Sequence, residues 1–217
     1  MNKVKCSEDR NKDSGGSSRN LDSGADVTFQ YLRGFTKVMT EPQVIARDAR
    51  TISEIRPFLH VSGIAPLTAN NLQQFTCLIN CVAGLRHSAP PHLTVLHIPI
   101  EDDDSTDLSP YWQIVFQTIE EHRRLGGKTL IFCGMGISRS ASFAVAYLMC
   151  IEKMSLHDAY KHVQHARNII CPNIGFFKQM IEIERKGIYQ SHVSDISKDH
   201  VVSRDSALTR TLTSLPL

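Results

Sequence analysis

Short apolar runs alternate with amphipathic stretches of 10–15 residues, which predicts an α/β domain with a central mixed, largely parallel sheet flanked by helices. Two segments support this class. Thr129-Leu-Ile-Phe132 is apolar without polar alternation, as in a central strand covered on both faces. Ser140–Ile151 follows it and is nearly all apolar, as in a helix packed deep in a domain.

The elements follow in order. Regular patterning starts near Ile52. Phe58-Leu-His-Val-Ser62 reads as a short strand, and Thr68 as the cap of a helix carrying Leu72 and Phe75. Leu78 to Val82 and Thr94 to Ile100 read as further strands. Ser109-Pro110 predicts a helix start, with a capping hydroxyl and then Pro at the first helical position. Trp112, Val115, Phe116 and Ile119 continue it as a 3.6-residue stripe that Gly126-Gly127 ends. Ser155 with Asp158 resembles a capping box, and Asn173 is placed to cap a last helix with Ile174, Phe177 and Ile181 on one face.

Residues 1–49 read as a mostly disordered N-terminal tail, 50–187 as the folded domain, and 188–217 as a polar C-terminal extension. The 217 residues hold 41% hydrophobic and 21% charged residues, enough for one core. Twenty-four Lys and Arg against 22 Asp and Glu leave a net charge of +2, which argues against nucleic-acid binding through a global basic field. No apolar run reaches the roughly 18 residues of a membrane helix. A signal peptide and lipidation motifs are not expected either, so a cytoplasmic protein is, with the nucleus as an alternative. The six cysteines are read as free thiols, with Cys77 and Cys81 in the core. His157, His162 and His165 lack the one-turn spacing of a helical zinc pair.

The segment Cys133-Gly-Met-Gly-Ile-Ser-Arg139-Ser140 lies between the buried strand and the buried helix, where open α/β sheets form their sites. Gly134 and Gly136 let the backbone curl so that successive N–H groups point inward. The following helix terminus adds partial positive charge, and Arg139 offers a planar fork of donors to a phosphoryl group. The same environment stabilises a thiolate at Cys133, poised for in-line attack on a bound phosphate monoester. The leaving oxygen needs a proton donor. The acidic stretch Glu101-Asp102-Asp-Asp-Ser-Thr-Asp107 after a predicted strand is its natural source, but spacing does not choose among Asp102, Asp103 and Asp104.

At these residues the chain resembles the cysteine-dependent protein phosphatases, and within the protein tyrosine phosphatase superfamily the small atypical dual-specificity phosphatases. The resemblance covers about residues 50–187. It includes Ile52-Ser-Glu-Ile, Leu59-His-Val-Ser-Gly63, Ile98-Pro-Ile-Glu-Asp102, Ala146-Tyr-Leu-Met149 and the late run Arg167-Asn-Ile-Ile-Cys-Pro172-Asn173-Ile-Gly-Phe176. It implies a protein tyrosine phosphatase-like fold, no cofactor or metal, and no room for the docking domain of larger relatives. It implies Cys133 as nucleophile, Asp102 as acid and then base, and Ser140 as hydrogen-bond donor to the departing thiolate. Arg139 with the backbone N–H groups of Gly134, Met135, Gly136, Ile137 and Ser138 would bind the phosphoryl group, and Asn173 would support the loop. The implied substrates are proteins carrying phosphotyrosine, phosphoserine or phosphothreonine, with phosphorylated MAP kinases the customary family partners.

Two positions depart from the family pattern. The residue before the nucleophile is usually His and is here Phe132, which implies a less stabilised thiolate and weak turnover at neutral pH. That departure sustains the alternative of a phosphoresidue-binding module. Met135 stands where the family often has Ala. The absence of Lys and Arg between Cys133 and Arg139 argues against phosphoinositide substrates.

Overall fold

The computed structural model describes residues 42–85 and 89–187. The chain before residue 42 and after residue 187, with most of the expected tail, the expected extension and Cys6, lies outside them. Five strands form one sheet in the order β1-β2-β5-β3-β4: β1 Ile52–Arg56, β2 Leu59–Ser62, β3 Cys77–Asn80, β4 Thr94–His97 and β5 Thr129–Phe132. The pairs β2–β5, β5–β3 and β3–β4 are parallel, and β1 alone runs antiparallel, against β2. The expected mixed, largely parallel sheet is therefore present, with wholly buried β5 at its centre.

Helices α1 Pro42–Asp48, α2 Ala69–Leu72, α3 Trp112–Arg124, α4 Arg139–Cys150, α5 Leu156–Ala166 and α6 Ile174–Lys186 complete the domain. Helix α4 is the hub of one layer. It packs on β2 and β5 and touches α3, α5 and α6, so all its residues from Ser140 to Cys150 are buried. A smaller apolar cluster of Leu72, Phe75, Leu78, Leu130 and Phe132 also forms, with Leu67, Val82, Leu85 and Leu93 packed against it.

The caps follow their chemistry. Thr68, Ser155 and Asn173 each accept a backbone N–H at the start of α2, α5 and α6. Ser109 does not cap. The chain makes a 3-10 turn over Ser109–Tyr111 before α3, and the Ser109 hydroxyl donates instead to Asp107 at 2.8 Å. The turn begins one residue earlier than expected, with Leu108 in the cap position, so Ser109 lies inside the turn and its oxygen does not face the N–H groups a cap would accept. Helix α1 is a second difference, since Pro42–Asp48 fall inside the stretch expected to be a disordered tail.

Candidate functional site

The parallel register decides where the reactive segment emerges. Ser62, Phe132 and Asn80 stand side by side at the ends of β2, β5 and β3. One residue later the chain leaves the sheet as Cys133, flanked by Gly63 and Cys81. Side chains alternate across a sheet, so Cys133 faces away from Phe132. Phe132 is fully buried in the small apolar cluster, and Cys133 is 2% exposed at the base of the loop.

The loop's backbone is sorted by polarity. The carbonyls of Gly134 to Ser138 are all engaged on the protein side. Gly134 O accepts from Ile64 N, Met135 O and Gly136 O from Arg167, Ile137 O from Cys171 N, and Ser138 O from Ser142. The N–H groups of Gly134 to Ser138 make no hydrogen bond to protein among the described residues. Donors turned one way and acceptors the other form an anion cradle, completed by the N-terminus of α4.

Gly136 is demanded by this geometry. Its φ is +70°, and a Cβ there would lie 2.5 Å from the Ser62 carbonyl carbon. Gly134 is not, contrary to the expectation that both glycines serve the curl. Its φ is not positive, and a Cβ would meet only Arg139 Nη2 at 3.6 Å. Met135 is 49% exposed at the lip of the loop.

Arg139 is anchored at one end and open at the other. Nη1 donates to Cys81 O at 3.0 Å and to Ile100 O at 3.1 Å. Nε is buried without a hydrogen-bond partner. A buried guanidinium donor that makes no hydrogen bond is costly unless a ligand meets it, and this edge fits a phosphoryl oxygen. The Ser140 Oγ lies 3.2 Å from Cys133 Sγ, at the first turn of α4.

The three aspartates that spacing could not separate are separated by the fold. Asp102 reaches the loop: its Oδ1 accepts from Ser138 Oγ at 2.7 Å and from Asn173 Nδ2 at 2.9 Å, and its Oδ2 is 3.6 Å from Arg139 Nε. Asp103 turns back on its own strand of chain. It accepts from Ser105 and Thr106, hydrogen bonds that hold its carboxyl below the usual carboxylate range. Asp104 contributes backbone contact: a Cβ on Gly175 would fall 2.0 Å from Asp104 O, so that glycine lets α6 and the acidic loop close together.

Asn173 joins three parts. Its Oδ1 caps α6 through Phe176 N, its Nδ2 donates to Asp102 and to Asp103 O, and its backbone N–H donates to Ser138 Oγ. Two participants escaped the sequence reading. One is the Ser138 side chain, counted there only for its backbone. The other is Arg167, noted only within the late run. Its spacing from Pro172 was the available signal, but nothing local says where a buried guanidinium points.

Three other cysteines, Cys77, Cys81 and Cys150, are buried in the core, while Cys171 is exposed. Burial pushes the Cys77 thiol up to about 12 and the Cys150 thiol to about 11. Burial also pushes Cys81 well up, and its neighbour Cys133 adds to the rise. These thiols stay protonated at neutral pH and pack as small apolar groups.

Comparison with known proteins agrees with this architecture. The chain is 53% identical over 148 residues to an uncharacterized protein of Caenorhabditis elegans, covering 68% of this chain and 50% of that one. It is 28% identical over 173 residues to human dual specificity protein phosphatase 14, covering 78% of this chain and 87% of that one. The solved structure of human DUSP28 superposes with a TM-score of 0.59 at 28% identity, covering 62% of this chain and 93% of that chain. The chain thus spans about half the length of the Caenorhabditis elegans relative. The model of the dual specificity phosphatase catalytic domain matches residues 58–186. With more than half its length in that match, and a cradle, cysteine and arginine at its centre, the chain belongs to the dual specificity phosphatase family of the protein tyrosine phosphatase superfamily.

Proposed function

We propose that this chain is a protein phosphatase that hydrolyses phosphotyrosine and phosphoserine or phosphothreonine through a phosphocysteine. The observation that carries the reading is the sorted loop: free N–H groups and an Arg139 Nε without a hydrogen bond around Cys133, with Asp102 Oδ2 3.6 Å from that nitrogen.

The chemistry runs in two steps. The Cys133 thiolate attacks phosphorus, and an S–P bond forms as the bond to the substrate oxygen breaks. Asp102, protonated at this stage, gives its proton to that oxygen. The cradle N–H groups and Arg139 hold the equatorial oxygens as charge develops. Asp102, now a carboxylate, takes a proton from water, which attacks phosphorus. The S–P bond breaks, inorganic phosphate leaves, and the Ser140 hydroxyl donates to the departing thiolate.

Phe132 supports a second reading, in which the cradle holds phosphoresidues without turning them over. Hydrolysis of p-nitrophenyl phosphate by wild type and by Cys133→Ser separates the two. A loss of about 10³-fold or more in the variant is expected of the enzyme. Equal rates would leave only the binding module. Phosphotyrosine and phosphothreonine peptides, assayed side by side and including MAP kinase activation segments, then define the substrate class.

A further inference from the structure

Arg167 follows α5 and is 2% exposed, among the largest fully buried side chains of the domain. Its Nε donates to Gly136 O at 2.6 Å and its Nη2 to Met135 O at 2.9 Å. Its Nη1 donates to Thr51 O and to Ser53 Oγ, each at 3.2 Å. All four acceptors are uncharged. A guanidinium does not give up its proton in a protein, and a buried charge needs an anion to balance it. Among the described residues no carboxylate lies within ion-pair distance of Arg167. Asp48 acts on it only through space, and its own ion pair is with Arg47 at 2.8 Å. Burial pushes the Arg167 guanidinium down from its usual value, and the two groups that pull it back up are Cys133 and Asp48.

We infer that Arg167 is a positioning residue and the fixed second cation of the anion site: it turns the carbonyls of Met135 and Gly136 away from the cradle and sets a permanent positive charge behind it, balanced by the Cys133 thiolate or by the bound phosphoryl group. The inference rests on the proposed role of Cys133 as nucleophile. It also gives a physical reason why a loop with Phe132 in place of a polar residue can still hold an anion.

The other groups facing Cys133 are accounted for. Arg139 comes from the loop itself, and Asp102 from the acidic loop, 3.6 Å from Arg139 Nε. The Ser140 hydroxyl is neutral, and Cys81, at the end of β3, is kept uncharged by burial. Arg167 approaches from the C-terminal end of α5.

The test is the pH dependence of Cys133 alkylation by iodoacetamide, an uncharged reagent, followed by mass spectrometry of the peptide that carries it. Ser53→Asp leaves Arg167 in place and offers it a carboxylate on the side away from the loop. The half-point of alkylation should rise by roughly one pH unit, while Ser53→Asn, of the same size and uncharged, should match wild type. Arg167→Met should raise the half-point further and weaken competitive inhibition by inorganic phosphate about tenfold. Arg167→Lys keeps the charge but not the fork, so its alkylation profile should stay near wild type while kcat falls. Coincident profiles for Ser53→Asp and Ser53→Asn would overturn the inference. They decide it even where Arg167→Met does not fold. A shifted Ser53→Asp profile in a chain whose turnover equals that of Cys133→Ser would uphold the second cation and reject the phosphatase reading alone.

Discussion

The two loops that meet at the site are built by opposite means. The phosphate loop, Cys133 to Arg139, is held by its own backbone. Its carbonyls are tied to Ile64, Arg167, Cys171 and Ser142, and it is clamped between a strand and the most buried helix of the domain. The acidic loop, Glu101 to Asp107, is mostly exposed and held by side chains: Asp103 and Asp107 bond to their own neighbours, while Asn173, Ser138 and Gln179 reach across to it. A preformed cradle costs no reorganisation when charge develops, which favours electrostatic stabilisation. An acid held by a few side-chain bonds is free to exchange partners as its proton moves. In the proposed reaction the fixed loop would bind, and the lightly tethered loop would carry the proton.

The largest effect on this contrast should come from Asp102→Asn. The turnover of a phosphothreonine peptide should fall about 10²- to 10⁴-fold, because an alkoxide needs a proton to leave. The fall with p-nitrophenyl phosphate should be smaller, since nitrophenolate leaves without one. Equal losses on both substrates would mean that Asp102 shapes the cradle instead of supplying the proton.

Asn173→Ala should follow. It removes the α6 cap, at about 1 kcal/mol of stability by chemical unfolding, and also frees Asp102. The kcat should fall more than KM rises, because the cradle keeps its own bonds. A change confined to KM would show the two loops to be one unit.

Phe132→His probes the fixed loop from below. Activity at neutral pH should rise several-fold as the strand residue before Cys133 gains a hydrogen-bonding group. Thermal unfolding should fall by a few degrees, because an imidazole replaces a ring packed in an apolar cluster. A half-point for wild-type alkylation already near about pH 5 would remove the reason for any gain.

The smallest effect belongs to Ser105→Ala. Asp103 is held below its usual range chiefly by the Ser105 hydroxyl. A lowered carboxylate contributes stability above its unfolded value, near 4, and loses it as pH falls through the folded one. The variant should therefore lose a little stability at neutral pH, and the difference should vanish in acid. Differential unfolding at pH 7 and about pH 2.5 reads it.

Legibility in the sequence followed locality. The strand–loop–helix run from Thr129 to Cys150 could be read because its signals are contiguous: an unbroken apolar strand, spaced glycines, an arginine six residues past the cysteine, and an apolar helix. The caps at Thr68, Ser155 and Asn173 are local in the same sense. Ser109 misled because the turn starts one residue early, with Leu108 in the cap position, and sequence signals do not fix a helix start to the residue. Helix α1 went unread because seven residues, PQVIARD, bury nothing and carry no apolar period.

The sequence by itself determined the reactive segment and its place at a strand's carboxyl end, because every interaction that makes it recognisable lies within one supersecondary unit. Tertiary structure alone decided which aspartate meets Arg139, how Ser138 and Asn173 hold it, and that Arg167 sits beneath the cradle. Those contacts join residues 31 to 71 positions apart. Their geometry depends on the order and register of parallel strands, which local propensity does not encode.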